Sequence, residues 1–219
     1  MSEAPPPTTA VDICNLALFR LGQTEEITDI SDPEGKAAIL CARHYPVTRR
    51  RLLRGPRIYN FAKEYAQITV DATVTPAFGF GSAYRLPNDC LRVLTLGDID
   101  DNDPRLQSLY AIRARHIYTD ETDEDDTLNL SYIKDVTTVA LWDASFVDLI
   151  RLELAKDMAP GFTLKPSFVK DLNEELRDLR LEAGAISGQE NPPRKISRSR
   201  WLAARRLGGR SSDPTRHSI

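Results

Sequence analysis

The spacing of apolar residues changes twice along this chain of 219 residues, and that change constrains the fold more than any other feature. Apolar side chains recur at helical spacing near both ends, whereas the middle carries short β-branched and aromatic runs separated by proline, glycine and aspartate. The order predicts an α+β fold: a helical bundle formed by both ends of the chain, with a small antiparallel β-region inserted between its second and third helices.

Two helices are predicted in the first part of the chain. The first extends from about Thr9 to Leu21 and is followed by Gly22, a residue type favoured just after a helix end. The second follows Ser31, which has a glutamate three residues later and so shows the signature of a capping box. Pro46 lies inside this second helix and is expected to kink it.

Two more helices are predicted after the β-region. Asp143 is the expected N-cap of a helix that ends near Ala159, and a last helix covers roughly Pro166 to Ala183. The pattern divides the chain into an N-terminal extension (1–10), a first bundle part (11–55), the inserted β-region (56–136), a second bundle part (137–190) and a C-terminal arm (191–219).

The β-region contains five runs with strand character. They cover residues 65–74, 83–86, 91–96, 111–118 and 128–133. Two acidic segments, residues 98–103 and 120–126, fall between these runs, where solvated hairpin tips are expected.

Composition and motifs argue against several functional classes. The chain has no apolar stretch long enough to cross a bilayer and does not start like a secretory signal, so neither feature is expected. Cys14, Cys41 and Cys90 are widely spaced among apolar neighbours, which is typical of small core residues. The three histidines lie far apart, and no glycine-rich nucleotide loop or G-x-S-x-G string is complete. We therefore expect no cofactor and no catalytic zinc.

One stretch imitates the start of a calcium-binding loop. Asp98, Asp100 and Asn102 have the required spacing, but Asp103 occupies the position of the glycine and Leu109 that of the bidentate glutamate. A solvated acidic loop is the better prediction.

The net charge of −3 conceals a basic tail on an acidic body. Residues 191–219 contain eight basic side chains and one acidic one, a net charge of +7, so the preceding residues carry −10. A second basic group, called here the helix-two arginine cluster, consists of Arg43, Arg49, Arg50, Arg51, Arg54 and Arg57. Its arginines either stabilise a helix C-terminus and solvate the surface, or face an acidic partner or nucleic acid.

The C-terminal arm combines positive charge with an aromatic residue. Trp201 and Leu202 are surrounded by Arg194, Lys195, Arg198, Arg200, Arg205, Arg206 and Arg210. The arm could be a solubilising tail, a nucleic-acid arm or an arm that folds onto a protein partner. We favour the protein-docking arm, because an exposed tryptophan in a polar segment is costly without a pocket to receive it.

Several strings resemble those of a known family. They are ICNLALFRLG at residues 13–22, RLL at 51–53, NFA at 60–62, YRLPNDCLRV at 84–93, LSYI at 130–133, ALWD at 140–143 and FV at 146–147. Together they resemble the head-to-tail adaptor proteins of short-tailed bacteriophages, often called tail tubular protein A. The resemblance covers roughly residues 11–185, with Tyr59 standing where relatives often have a tryptophan.

This resemblance implies a structural protein of the virion. Members of the family form a ring of twelve copies below the dodecameric portal, with an axial channel for DNA, a nozzle protein beneath the ring and tail fibres or spikes nearby. It therefore implies no enzymatic activity, synthesis in the host cytoplasm and a final place at the head-to-tail junction. In that setting, we expect the arm from about Asn191 onward to dock on the portal.

Two rival hypotheses belong to other classes. The chain could be a nucleic-acid-binding protein that uses the basic arm and the cluster from Arg49 to Arg57. It could also be a glycosidase built on two carboxylates, but with 32 acidic residues the sequence nominates no particular pair.

Overall fold

The computed structural model describes residues 7–97, 110–120, 126–162 and 166–190. This part of the chain contains four α-helices and six β-strands. The helices are α1 Ala10–Arg20, α2 Gly35–Arg54, α3 Ala144–Met158 and α4 Pro166–Glu190. The strands are β1 Lys63–Thr69, β2 Ser82–Arg85, β3 Cys90–Leu96, β4 Tyr110–Arg113, β5 His116–Thr119 and β6 Thr127–Lys134. The fold is α+β, as the sequence predicts.

The chain divides into two compact units, Met1–Gly184 and Ala185–Ile219. The six strands and the first three helices belong to the first unit. The described part of the second unit is the last stretch of α4, residues 185–190. No helix within the described ranges combines the length and apolar character needed to cross a bilayer.

Buried apolar side chains form two clusters. The larger one draws on all four helices and includes Cys14, Cys41, Ile150 and Leu172. The smaller one lies among the strands and includes Cys90. All three cysteines are free and buried, which confirms their prediction as core residues.

The strands form two antiparallel sheets of three strands each. One has the order β1-β6-β3 and the other β2-β5-β4. In the first sheet Lys63 pairs with Ile133 and Thr69 with Thr127, so β1 and β6 are in register throughout. An isolated bridge between Val70 and Tyr84 joins the two sheets.

The capping box lies at the first helix, not the second. The Asp12 amide donates to Thr9 Oγ1 at 3.1 Å, and the Thr9 amide donates to Asp12 Oδ2 at 2.9 Å. The capping box predicted at Ser31 is wrong, because α2 starts later with Glu34 as an N-cap that makes no side-chain capping hydrogen bond. The Ser31 amide instead donates to Asp29 Oδ1 at 2.7 Å in a local turn.

This cap yields a first testable prediction. A Thr9→Ala substitution removes the acceptor for the Asp12 amide and is expected to lower the free energy of unfolding by about 1 kcal/mol. Urea denaturation measures this change. Thr24→Ala, at an exposed position outside the helices, is the matched control and should change stability by less than about 0.5 kcal/mol. Equal losses in the two variants would contradict the role of the cap.

The predicted run at residues 111–118 is not one strand. It is a hairpin of β4 and β5 whose turn residues, Ala114 and Arg115, have φ values of 44° and 65°. Two residues with positive φ are typical of a tight turn that follows the twist of a hairpin, but glycine or asparagine usually occupies those positions. The sequence therefore gives no turn signal here.

Candidate interaction site at the end of the second helix

The structure describes one of the two predicted basic regions. The arm residues 194–210 lie outside the described residues, as do the calcium-like stretch 98–109 and residues 121–125 of the second acidic segment. The helix-two arginine cluster is described throughout, and it is built around the second half of α2.

Arg49 forms a buried ion pair with Asp135. The Arg49 Nε and Nη2 atoms donate to Asp135 Oδ1 and Oδ2 at 2.8 and 3.0 Å, and the two side chains are 8% and 9% exposed. The Arg49 guanidinium also lies 5.6 Å from the centre of the Tyr45 ring. The sequence predicts Arg49 on a solvated surface or facing a partner, and its burial corrects that prediction, because apolar spacing does not reveal a buried ion pair.

Asp135 is shared by a second arginine. The Arg50 Nε atom donates to Asp135 Oδ2 at 2.8 Å, although the Arg50 side chain is largely exposed. Burial raises the pKa of Asp135, but the hydrogen bonds from Arg49 and Arg50 outweigh it and leave that pKa below its ordinary value. One carboxylate thus balances two guanidinium groups.

Arg51 pairs with carboxylates of α3. Its Nη2 atom lies 2.7 Å from Asp157 Oδ2 and 3.2 Å from Glu153 Oε2. Thr48 Oγ1 also donates to Asp157 Oδ2, at 2.7 Å. These contacts join the ends of α2 and α3 and leave the charge of Arg51 neutralised.

The buried carboxylate of Glu153 has two further cationic side chains as neighbours. Its side chain is 1% exposed, Lys156 Nζ lies 2.9 Å from its Oε2 atom, and Arg180 of α4 contacts its Oε1 atom. Like Arg49, this glutamate is a charged residue buried in a helix. Its cationic neighbours explain how the charge is tolerated there.

A basic cavity of about 650 Å³ opens at the end of α2. It is lined by Arg50, Arg51, Arg54, Gly55, Cys90, Leu91 and Arg115. Arg92 lies beside it, since its Nη1 atom donates to the Gly55 carbonyl at 2.7 Å and places a positive charge at the helix C-terminus.

Arg115 reaches this cavity from the β4–β5 turn. Its carbonyl accepts a hydrogen bond from the Leu86 amide at 2.9 Å, and its Nη2 atom donates to the Pro87 carbonyl at 2.5 Å. Both contacts fix the arginine against the segment that leads into β3. The sequence does not indicate Arg115 as a site residue, because nothing in the run 111–118 marks a turn.

Two further members of the helix-two arginine cluster, Arg43 and Arg57, are not among the residues that line this cavity. The Arg57 guanidinium lies 5.1 Å from the centre of the Tyr59 ring, and Arg43 is exposed earlier on α2. The structure therefore divides the cluster: Arg49 and Arg51 are neutralised by carboxylates of other elements, and Arg50, Arg51 and Arg54 line a cavity with Arg115.

Guanidinium groups in a concave site bind carboxylate or phosphate oxygens through paired hydrogen bonds. Within the described ranges, no three or more histidine, cysteine, aspartate or glutamate side chains are grouped so that they could hold a metal ion. The chain matches no known family model, and no curated protein matches it either.

Proposed function

We propose that this protein is a structural component of a short-tailed bacteriophage, an adaptor ring that joins the portal to the tail nozzle and forms part of the DNA ejection channel. The observation that carries the proposal is where the family-like strings lie. In the string 13–22, Ile13, Cys14, Ala17 and Leu18 are buried at the centre of the helical core. Such strings identify a family through its packing and need no reactive group.

The string at residues 84–93 supports the same proposal. It covers the end of β2, the turn that follows and the start of β3, and it buries Tyr84, Leu86 and Cys90 in the core of the β-region. Tyr59, at the position where relatives often have tryptophan, is 4% exposed and packs against Phe146. The departure therefore keeps an aromatic residue in the core.

We further propose that the helices form the bundle of this family, with the two sheets as its insertion, and that twelve copies assemble into a ring. The described surface offers apolar contacts for such an assembly. Phe19 is 75% exposed beside a cleft of about 670 Å³ on α1, and Val47 on α2 is 62% exposed. Exposed apolar side chains on separate helices suit a subunit with neighbours on several sides.

In this proposal, residues 191–219 dock on the portal. Their net charge of +7 and the pair Trp201 and Leu202 favour a partner surface with both acidic groups and an apolar pocket. Twelve arms on one ring would make individually weak contacts collectively strong, because each bound arm raises the effective concentration of the others. The ring would be incorporated into the virion at the head-to-tail junction, with the nozzle and the fibres or spikes as further partners.

Deleting residues 191–219 tests the proposal. We expect attachment to purified portal rings to fall at least tenfold, measured by co-sedimentation, while the far-ultraviolet circular dichroism of the remaining chain is retained. A matched variant, Trp201→Ser with Leu202→Ser, keeps every charge of the arm. Its attachment should also fall, because only the apolar contact with the partner's pocket is removed. Undiminished attachment of the deleted protein would contradict the docking role of the arm.

The basic cavity favours one second candidate, a nucleic-acid-binding protein. That function predicts an affinity for duplex DNA that falls steeply with salt and that decreases when Arg54 is replaced by alanine. Filter binding at several salt concentrations measures both effects. An affinity unaffected by this substitution would exclude the cavity as a phosphate site.

A further inference from the structure

The basic cavity holds more positive charge than the described carboxylates balance. Asp135 is the shared partner of Arg49 and Arg50, and no carboxylate in the described part of the chain forms an ion pair with Arg54 or Arg115. Guanidinium groups gathered in one concave site repel each other unless an anionic group lies between them. The cavity is therefore suited to an anionic ligand.

The backbone of the β4–β5 turn points to the same site. Ala114 and Arg115 both adopt positive φ, a conformation that costs free energy in residues with a side chain. The turn places the Arg115 guanidinium at the cavity and anchors it on the Pro87 carbonyl. The hairpin turn therefore holds Arg115 among the residues that line the cavity.

The chain itself carries a strongly acidic segment. Residues 120–126 contain six carboxylates and no basic side chain. Its two described border residues are Asp120, which follows β5, and Asp126, which precedes β6. A segment with this charge density complements a group of arginines.

Strand connectivity separates Asp120 and Asp126, the two described border residues of the acidic segment, from the cavity within one chain. The turn with Arg115 precedes β5, whereas Asp120 follows the other end of that strand. Likewise β3 starts at the cavity with Cys90, and its far end lies level with Leu130, near the start of β6. Seven residues of β3 span about 20 Å, so cavity and acidic border residues lie at opposite ends of these strands.

We propose that the basic cavity binds residues 120–126 of a second copy of the chain, so that copies associate head to tail. A contact between two different surfaces repeats from copy to copy and closes into a ring when the rotation permits it. The inference rests on the proposed ring and identifies one contact that holds its neighbours together. It assigns Arg54 and Arg115 to assembly rather than to the portal.

DNA is the less favoured occupant. Residues 1–190 carry a net charge of −10, which repels a polyanion that must approach along an extended surface. A short acidic segment, in contrast, is attracted by the positive potential of the cavity alone and needs no extended basic surface. In addition, the charges of Arg49 and Arg51 are already neutralised by carboxylates of the same chain.

The test introduces opposite charges at two positions of each surface in the full chain. A cavity variant carries Arg54→Glu and Arg115→Glu, and an acidic-segment variant carries Glu121→Lys and Glu124→Lys. Each alone is expected to lower the self-association constant at least tenfold at low salt, measured by sedimentation equilibrium. An equimolar mixture should regain association, because the unaltered cavity of one variant fits the unaltered acidic segment of the other, and the new lysines of one face the new glutamates of the other.

Two controls address charge and folding. Arg43→Glu with Lys170→Glu changes the net charge by the same amount at exposed positions outside the cavity, and it should associate like the wild type. Arg54→Glu alone leaves the β4–β5 turn intact and should still weaken association. Restored association in the mixture shows that both double variants are folded.

Four outcomes would overturn the inference. A wild-type chain that stays monomeric at low salt would overturn the head-to-tail contact. It would not contradict portal docking, which the arm deletion tests separately. Unchanged association in the cavity variant would overturn the contact while leaving the ring. A third outcome is that a variant with all four substitutions regains association and the mixture does not. That result would show that the acidic segment pairs with the cavity of its own chain. Loss of affinity for duplex DNA without loss of self-association would identify a phosphate site instead.

Discussion

An Asp135→Asn substitution is expected to lower the free energy of unfolding by about 3–5 kcal/mol, because it leaves the Arg49 guanidinium buried without its counter-charge. The carboxylate joins the loop after β6 to α2 through three hydrogen bonds, two from Arg49 and one from Arg50. An asparagine oxygen retains part of this geometry but not the charge. Guanidinium chloride denaturation at neutral pH measures the loss.

The stability difference between the wild type and Asp135→Asn should decrease at low pH. The folded-state pKa of Asp135 lies below that of a free aspartate, about 3.9, so its ionisation stabilises the fold above that value. The difference between wild type and variant should be constant above about pH 5 and shrink as the pH falls below about 4. Asp148→Asn, which removes an exposed pair with Arg151, is the control and should cost less than about 1 kcal/mol. A loss at Asp135 no larger than this would contradict the buried pair.

The regular parts of the fold follow from periodicity. The first and third helices start within about one residue of their predicted positions, because Thr9 and Asp143 occupy the N-cap positions. The [ST]-x-x-[DE] signature occurs at both Thr9 and Ser31, but only Thr9 forms the box. The proline that follows two residues after Ser31 did not start a helix there, because a local turn competes for the same backbone groups.

The candidate site was less predictable than the fold. Sequence spacing indicated that the arginines share the end of one helix, but not which of them meet a carboxylate. Arg49 and Asp135 are far apart in sequence, and long-range pairs leave no periodic signal. Arg115 was missed for a related reason, since its turn contains neither glycine nor asparagine.

Phe146 lies where the helical core meets both connections to the β-region. Its ring centre is 4.7 Å from that of Tyr59 and 5.2 Å from that of Phe61, which lie between α2 and β1. It is also 5.0 Å from the ring centre of Trp142, just before α3. All three contacts have the edge-on geometry that aromatic pairs prefer. One fully buried ring therefore links the segments before β1 and after β6 to α3.

A Phe146→Ala substitution is expected to lower the free energy of unfolding by about 3–5 kcal/mol, from lost apolar burial and the cavity left among three aromatic rings. Phe78→Ala is the matched control: Phe78 is 84% exposed, so the same change in size should cost less than about 0.5 kcal/mol. Urea denaturation followed by tryptophan fluorescence measures both, and Trp142 reports directly on the altered contact. A loss below about 1 kcal/mol at Phe146 would mean that the connections to the β-region are held by other contacts.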